Sequence, residues 1–342
     1  MTRVELARRV HVSAAAVGQW EAGEARPKLD TLLRVGDALR FPVAYFCTNG
    51  RTLLFLDTER TFFRSLRKSK QVDREAALAH ATLLAELVEA VARHAILPVV
   101  DIPNDPVDLN ASDKEIDSIA GRVRVQWELS QGPVVDMVRE LERHGAVTTR
   151  LELADDVDAF SWPCPGRPVV ILGTDKNDKA RSRLSAAHEL GHLVMHREHP
   201  KPGDRTLEAQ AYRFASAFLV PPNQLRAEWP QGRLSWRDLL RLKHRWQISL
   251  AALLYRARVD QLITPTTYES AMKYMSRMGW RRSEPGDLGP PEQPRLFRRA
   301  VELLQQNGMN NADLADEAHI PLEELERYVR VSVGSAPVRV EV

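Results

Sequence analysis

His188-Glu189-Leu190-Gly191-His192 constrains this 342-residue chain more than any other stretch. Two histidines four apart on a helix stand on one face, a turn from each other. From there both imidazoles reach a single metal ion. Glu189 sits beside them, placed to take a proton from a water on that ion. The competing reading is a buried helix with two satisfied histidines, and the flanks argue against it. Leu184, Ala187, Leu190, Gly191 and Met195 make the segment apolar enough to be buried. Charged and ring side chains are costly inside an apolar helix unless something pairs with them. A metal supplies that pairing.

A hydrolytic zinc site needs three protein ligands and one open position. Asp204 or Thr206 can cap a following helix that runs to about Val220, where Pro221-Pro222 stops it. On it Glu208, Ala211, Ala215 and Phe218-Leu219 recur at helical spacing, so Glu208 shares the stripe that faces the core. An acid on a packing face reads better as a ligand than as a solvated charge. Ala211 and Ala215 are small, and with Gly191 opposite they let the two helices approach closely. His196, Glu198, His199 and Asp204 compete for the same role. The longer metzincin pattern wants a Gly and then a His downstream of His192; Met195 and Glu198 stand there instead. His196 has rotated partly off the face and reads as a neighbour of the ligands.

Ser185-Ala-Ala-His-Glu-Leu-Gly-His-Leu-Val-Met-His196, followed by Glu208-Ala-Gln-Ala-Tyr-Arg-Phe-Ala-Ser-Ala-Phe-Leu-Val-Pro221, resembles the ImmA/IrrE metallopeptidases. The likeness extends upstream through Arg181-Ser-Arg-Leu184, the strand-like Pro168-Val-Val-Ile-Leu172 and the stretch from Gly132 to Gly145. The resemblance implies that His188, His192 and Glu208 bind zinc and that Glu189 is the general base. It also implies a cytoplasmic regulatory protease that cuts a helix-turn-helix repressor, often in stress or mobile-element control.

The N-terminus adds a second function. Arg3 to Val10 carries a helical pattern, His11-Val12 is a turn, and Ser13 can cap a second helix from Ala14 to Glu21, ended near Gly23. Leu29 to Leu39 reads as a third helix with Leu32, Leu33, Val35, Gly36 and Leu39 inward. The string from Glu5 to Gly23 resembles XRE-type helix-turn-helix domains, in which the helix after the turn enters the major groove. Ser13, Ala14, Ala15, Gly18 and Gln19 are the expected DNA-binding residues, and Gln19 can read adenine. Two departures stand out. The chain starts too late for the helix such domains carry ahead of Arg3, and Thr2 replaces a phosphate-holding Gln. Modest affinity, carried by a homodimer, is expected.

Net charge is +2, so no global basic field announces nucleic acid, and any DNA affinity must come from local patches. Arg60, Arg64, Arg67, Lys68, Lys70 and Arg74 form the densest one, suited either to phosphates or to a solvated helix face. Cys47 and Cys164 are too far apart for a disulfide framework. Cys164 is most simply a small loop residue; a thiolate reaching the open metal position is the sharper alternative. No apolar run reaches membrane-spanning length and no signal peptide is evident, which predicts a cytoplasmic protein.

The middle of the chain reads as mostly helical. Helices are expected over Ala76–Ile96, Asp117–Leu129, Pro133–His144 and Leu239–Val259, with strands over Ala146–Leu153 and Pro168–Leu172, the latter as an edge strand beside the site. Arg281 to Pro294, rich in Pro, Gly and charge, reads as a linker or lid. Beyond it comes an echo: Asp313 to Leu325 lines up without gaps on Glu5 to Val17, with Arg8 and Arg9 exchanged for Asp316 and Glu317 and further acids at Glu323, Glu324 and Glu326. Phosphates repel so acidic a motif, so it reads as a helical scaffold or protein-binding element. It could even imitate a repressor or cover the basic first domain.

The expected fold class is α+β and predominantly helical. It comprises a helix-turn-helix domain (1–50), a helical linker (51–110), a zincin-like metallopeptidase core with a small sheet (111–265) and a C-terminal helical domain (266–342). The expected function is a DNA-binding transcriptional regulator with a zinc-dependent endopeptidase domain that cleaves a protein such as a helix-turn-helix repressor. The alternatives are a non-proteolytic transcription factor whose zinc domain senses a ligand or metal, and an antitoxin-like binding protein.

Overall fold

Caps set the first helices. Thr2 accepts a hydrogen bond from the Glu5 amide, and the Glu5 carboxylate accepts one from the Thr2 amide, a capping box that starts α1 (Arg3–Arg9). Ser13 does the same one-sidedly for α2 (Ala14–Glu21), accepting from the Ala16 amide. Between them His11 takes a positive φ of 56°. Next come α3 (Leu29–Leu39) and the short α4 (Val43–Cys47). The computed structural model describes residues 1–47, 71–153, 158–163, 166–174, 177–197, 204–232 and 234–330, with 71–74 by backbone alone. The basic patch from Arg60 to Arg74, Cys164, Glu198 and His199 therefore lie outside the described side chains.

Along α3 the inward set differs from expectation at one place. Val35 and Gly36 are buried, whereas Leu33 is exposed. Gly36 is needed because a Cβ there would meet the Phe41 carbonyl oxygen at 2.9 Å.

The remaining elements are α5 (Gln71–Ala92), α6 (Asp113–Gln126), α7 (Met137–Arg143), β1 (Val147–Leu151), β2 (Ala159–Trp162), β3 (Val169–Gly173), α8 (Lys179–Met195), α9 (Arg205–Leu219), α10 (Pro222–Glu228), α11 (Trp236–Trp246), α12 (Leu250–Val259), α13 (Pro265–Arg277), α14 (Leu296–Gln306), α15 (Asn311–Ala318) and α16 (Leu322–Arg330). This is an α+β chain, predominantly helical, with a single three-stranded sheet among the described residues. No described helix is long and apolar enough to cross a membrane.

The chain divides into two units. The first holds the described part of Met1–Phe55 with Thr82–Ile96 and Arg298–Arg330; the second holds Leu97–Phe297 and the described part of Leu56–Ala81. This cuts across the expected C-terminal domain: residues 266–297 go with the second unit and 298–330 with the first.

In the second unit the strand order is β1-β3-β2, with β1 parallel and β2 antiparallel to β3. The expected edge strand is thus the central one, flanked by β1 and by β2, which pairs Ser161 with Val170. α8 packs on β2 and β3, and α9 packs on α8 and α6. The core gathers Leu172, Leu190, Val194, Phe214, Phe218 and Trp246, all essentially inaccessible. The helix expected over Leu239–Val259 is two: Gln247 turns left-handed after α11, and Ser249 caps α12.

The stretch from Arg281 to Pro294 is more firmly held than a linker or lid. Its Glu292 is buried, pairs with Arg183 of α8 and accepts from the Met137 amide at the start of α7 at 2.8 Å. The Glu292 carbonyl accepts from Arg150 of β1 at 2.7 Å.

The acidic echo in the first unit is structural. Asn310 and Asp313 form a capping box where Thr2 and Glu5 form theirs. His319 takes φ 52° where His11 takes 56°. Ile320 donates to the Ala315 carbonyl as Val12 does to that of Ala7, both at 3.0 Å. Leu325 is buried in α16 as Val17 is in α2.

Candidate metal centre

α8 is set by Asp178, whose carboxylate accepts from the Arg181 amide at 2.8 Å. From that start, His188 and His192 fall on one face. Asp204 caps α9 in the same way and places Glu208 in its first turn. The two helices can pack tightly because Gly191 meets Ala211: a Cβ on Gly191 would lie 3.3 Å from the Ala211 Cα and 3.1 Å from the Phe214 ring. That contact brings Glu208 across from the histidines.

The three side chains converge. His188 Nε2 lies 3.0 Å from His192 Nε2 and 3.1 Å from Glu208 Oε2, and His192 Nε2 lies 3.6 Å from Glu208 Oε1. Tetrahedral ligands of a zinc ion, at about 2.0–2.1 Å from it, stand about 3.3 Å from one another. The donor set, two imidazoles and a carboxylate within 4.8 Å of one another, fits that ion. His188 is partly exposed, and His192 and Glu208 are buried, so the centre opens to solvent on one side.

Glu189 faces the same cleft and is almost fully buried. Its carboxylate accepts from the Ser161 hydroxyl of β2 at 2.6 Å. Burial pushes its pKa up to about 7, against the opposing pull of His188 and Ser161. Burial also acts against charge on Glu208, but hydrogen bonds from His188 and His192 outweigh it and bring that group down to about 2. One carboxylate is thus held ionised while its neighbour is poised near neutrality.

The cleft has a volume of about 280 Å³. Arg181 and Asp158, paired at 2.8 Å, contribute to its lining, as does Tyr212, one turn beyond Glu208. Burial pushes the Tyr212 phenol up to about 12, so it keeps its proton and can donate. Of the competing ligands, His196 is fully buried and hydrogen-bonds to Gln210 at 3.0 Å, and Asp204 is spent as the cap of α9. Ser161 was not legible as a site residue, because β2 is only four residues long.

In the first unit Ala14, Ala15 and Gln19 are exposed on α2, with Gly18 half-buried and open on its free side. Ser13 is exposed, but its hydroxyl caps the helix. Arg8, Arg9, Arg26, Lys28 and Arg34 are exposed on this unit.

Residues 141–258 match the family model of the IrrE N-terminal-like domain, a peptidase family, and residues 1–46 match that of the helix-turn-helix. No curated protein matches the chain.

Proposed function

We propose that this chain, a helix-turn-helix domain joined to an IrrE N-terminal-like domain, is a DNA-binding regulator whose second unit is a zinc-dependent endopeptidase. The observation that carries the reading is the convergence of His188, His192 and Glu208 beside a Glu189 poised near neutrality. His188, His192 and Glu208 would hold a zinc ion. When bound, zinc supplies Lewis acidity toward the scissile carbonyl and acidifies the attacking water. Glu189 takes the proton of that water and hands it to the leaving amine. Tyr212 donates to the carbonyl oxygen as charge develops on it. The cleft beside the three side chains, about 280 Å³ and lined by His188, Glu189, His192, Glu208 and Tyr212, would receive the scissile bond. A protein such as a helix-turn-helix repressor, locally opened, is the substrate class.

The exposed face of α2 enters the major groove, with Ser13, Ala14, Ala15, Gly18 and Gln19 nearest the bases. A homodimer places two such helices about 34 Å apart on a palindromic site.

The Glu189→Gln variant separates chemistry from binding. It keeps zinc and DNA binding and loses cleavage of co-expressed repressors, read as the disappearance of cut products. Equal regulation by E189Q and wild type in cells would replace the protease with a metal or ligand sensor. Gln19→Ala relaxes base preference in a footprint at low salt; an unchanged footprint would remove Gln19 from the reading surface.

A further inference from the structure

Behind the candidate ligands runs a buried hydrogen-bonded series in which each group has a defined role. His192 presents Nε2 to the centre, so its proton must sit on Nδ1. That nitrogen faces His196 Nδ1 at 2.9 Å, which must then be the bare, accepting nitrogen. The His196 proton is left on Nε2, 3.0 Å from Gln210 Oε1. This fixes the Gln210 amide, whose Nε2 donates to the Asp108 carbonyl at 2.8 Å. A backbone carbonyl accepts only, so the series is anchored in one direction.

The anchor is itself held. The Asp105 amide donates to the Val194 carbonyl at 2.8 Å, and Arg197 donates to the Ile102 carbonyl at 2.9 Å. His196 is fully buried and Gln210 nearly so, which leaves water little access to compete. Metal-bound imidazoles ordinarily lean on a carboxylate or carbonyl. Here a second imidazole stands in that place and passes the constraint to the neighbouring helix.

We infer that His196 and Gln210 are positioning residues of the metal centre: they hold His192 in the tautomer that offers Nε2 and tie zinc affinity to the segment from Ile102 to Leu109. The inference rests on the zinc reading of the site. It does not depend on the chain being a protease.

The test is zinc affinity by chelator competition, with the cobalt(II) absorption spectrum as a second readout, on the full chain. His196→Leu removes the acceptor and weakens zinc binding about 10- to 100-fold. His196→Asn puts a side-chain oxygen in the place of Nδ1 and restores affinity to within a few-fold, with a wild-type cobalt spectrum. Gln210→Leu frees the His196 ring and costs about 10-fold. A merely structural role would lower the melting temperature of all three variants and leave zinc affinity unchanged; that result overturns the inference. If H196L does not fold, Q210L decides: unchanged affinity overturns it. Failure of wild type to take up zinc would sink the zinc reading along with the inference, whereas zinc-replete wild type with unaffected variants sinks the inference alone.

Discussion

Glu189 and Glu208 are two buried carboxylates in one cleft, driven in opposite directions. Glu208 faces two imidazoles and stays charged; Glu189 has burial as its dominant influence and sits at about 7. The difference has a consequence for the metal-free protein. Glu189 has a folded pKa above its ordinary value of 4.5, so its contribution to stability is complete below that value and is lost as pH rises through about 7. The Glu208 contribution runs the other way, present above 4.5 and lost as pH falls through about 2. Of these two, Glu189 alone contributes to the slope between about pH 5 and pH 8, alongside Glu142 and Glu292, which burial also raises. Metal-free wild type should lose up to about 3 kcal/mol relative to Glu189→Gln across that window. Urea unfolding of both proteins at several pH values checks it, since the titrating groups they share, Glu142 and Glu292 among them, cancel; parallel curves would show that Glu189 is not held neutral. The convergence of His188, His192 and Glu208 was legible in the sequence, because the pentapeptide and the stripe through Glu208 dictate who faces whom. Ser161 was not, because its place depends on a strand pairing that brings a distant residue beneath Glu189.

Helices announced themselves where side chains cap them. Ser13 opens α2 and Asp204 opens α9, and both starts could be read from residue type. The sheet was less legible. β2 is four residues long, offers too little alternation to register, and turns the expected edge strand into a central one. The break after α11 rests on Gln247 in a left-handed conformation, where a non-glycine residue gives no warning. Glu292 made its segment look solvated, yet its carboxylate is buried on Arg183 and the first amides of α7. The closest approach between elements yields a prediction of its own. Gly191→Ala should favour an isolated helix by about 1 kcal/mol. In the fold its methyl would press on the Ala211 backbone at 3.3 Å, and that backbone carries Glu208 in the preceding turn. The variant should melt lower than wild type and bind zinc several-fold more weakly. A higher melting temperature with unchanged zinc affinity would mean that α9 yields freely.

At the scale of the whole molecule, the first unit is assembled from separate parts of the chain, and Arg298–Arg330 is one of them. Ala315, Ala318, Leu325 and Tyr328 are buried there, and Glu317 pairs with Arg93 at 2.8 Å and His94 at 2.6 Å just beyond α5. The exchange of Arg9 for Glu317 between the two motifs thus turns a cation into the partner of two basic side chains. A chain ending at residue 297 should expose the amides of α1 to α3 to faster hydrogen exchange and lose its footprint. It should still take up one zinc per chain. Unchanged exchange in α1 to α3 would show that the N-terminal helices stand without those residues.

The same interleaving has a consequence on the ribosome. Leu97–Phe297, the bulk of the second unit, is one uninterrupted stretch, whereas the first unit waits for α15 and α16 to be complete. At about 5–20 residues per second that wait lasts tens of seconds. Translation therefore delivers the candidate metal centre first and completes the unit that holds the helix-turn-helix last. A nascent chain stalled between them would present the metal centre without a complete first unit.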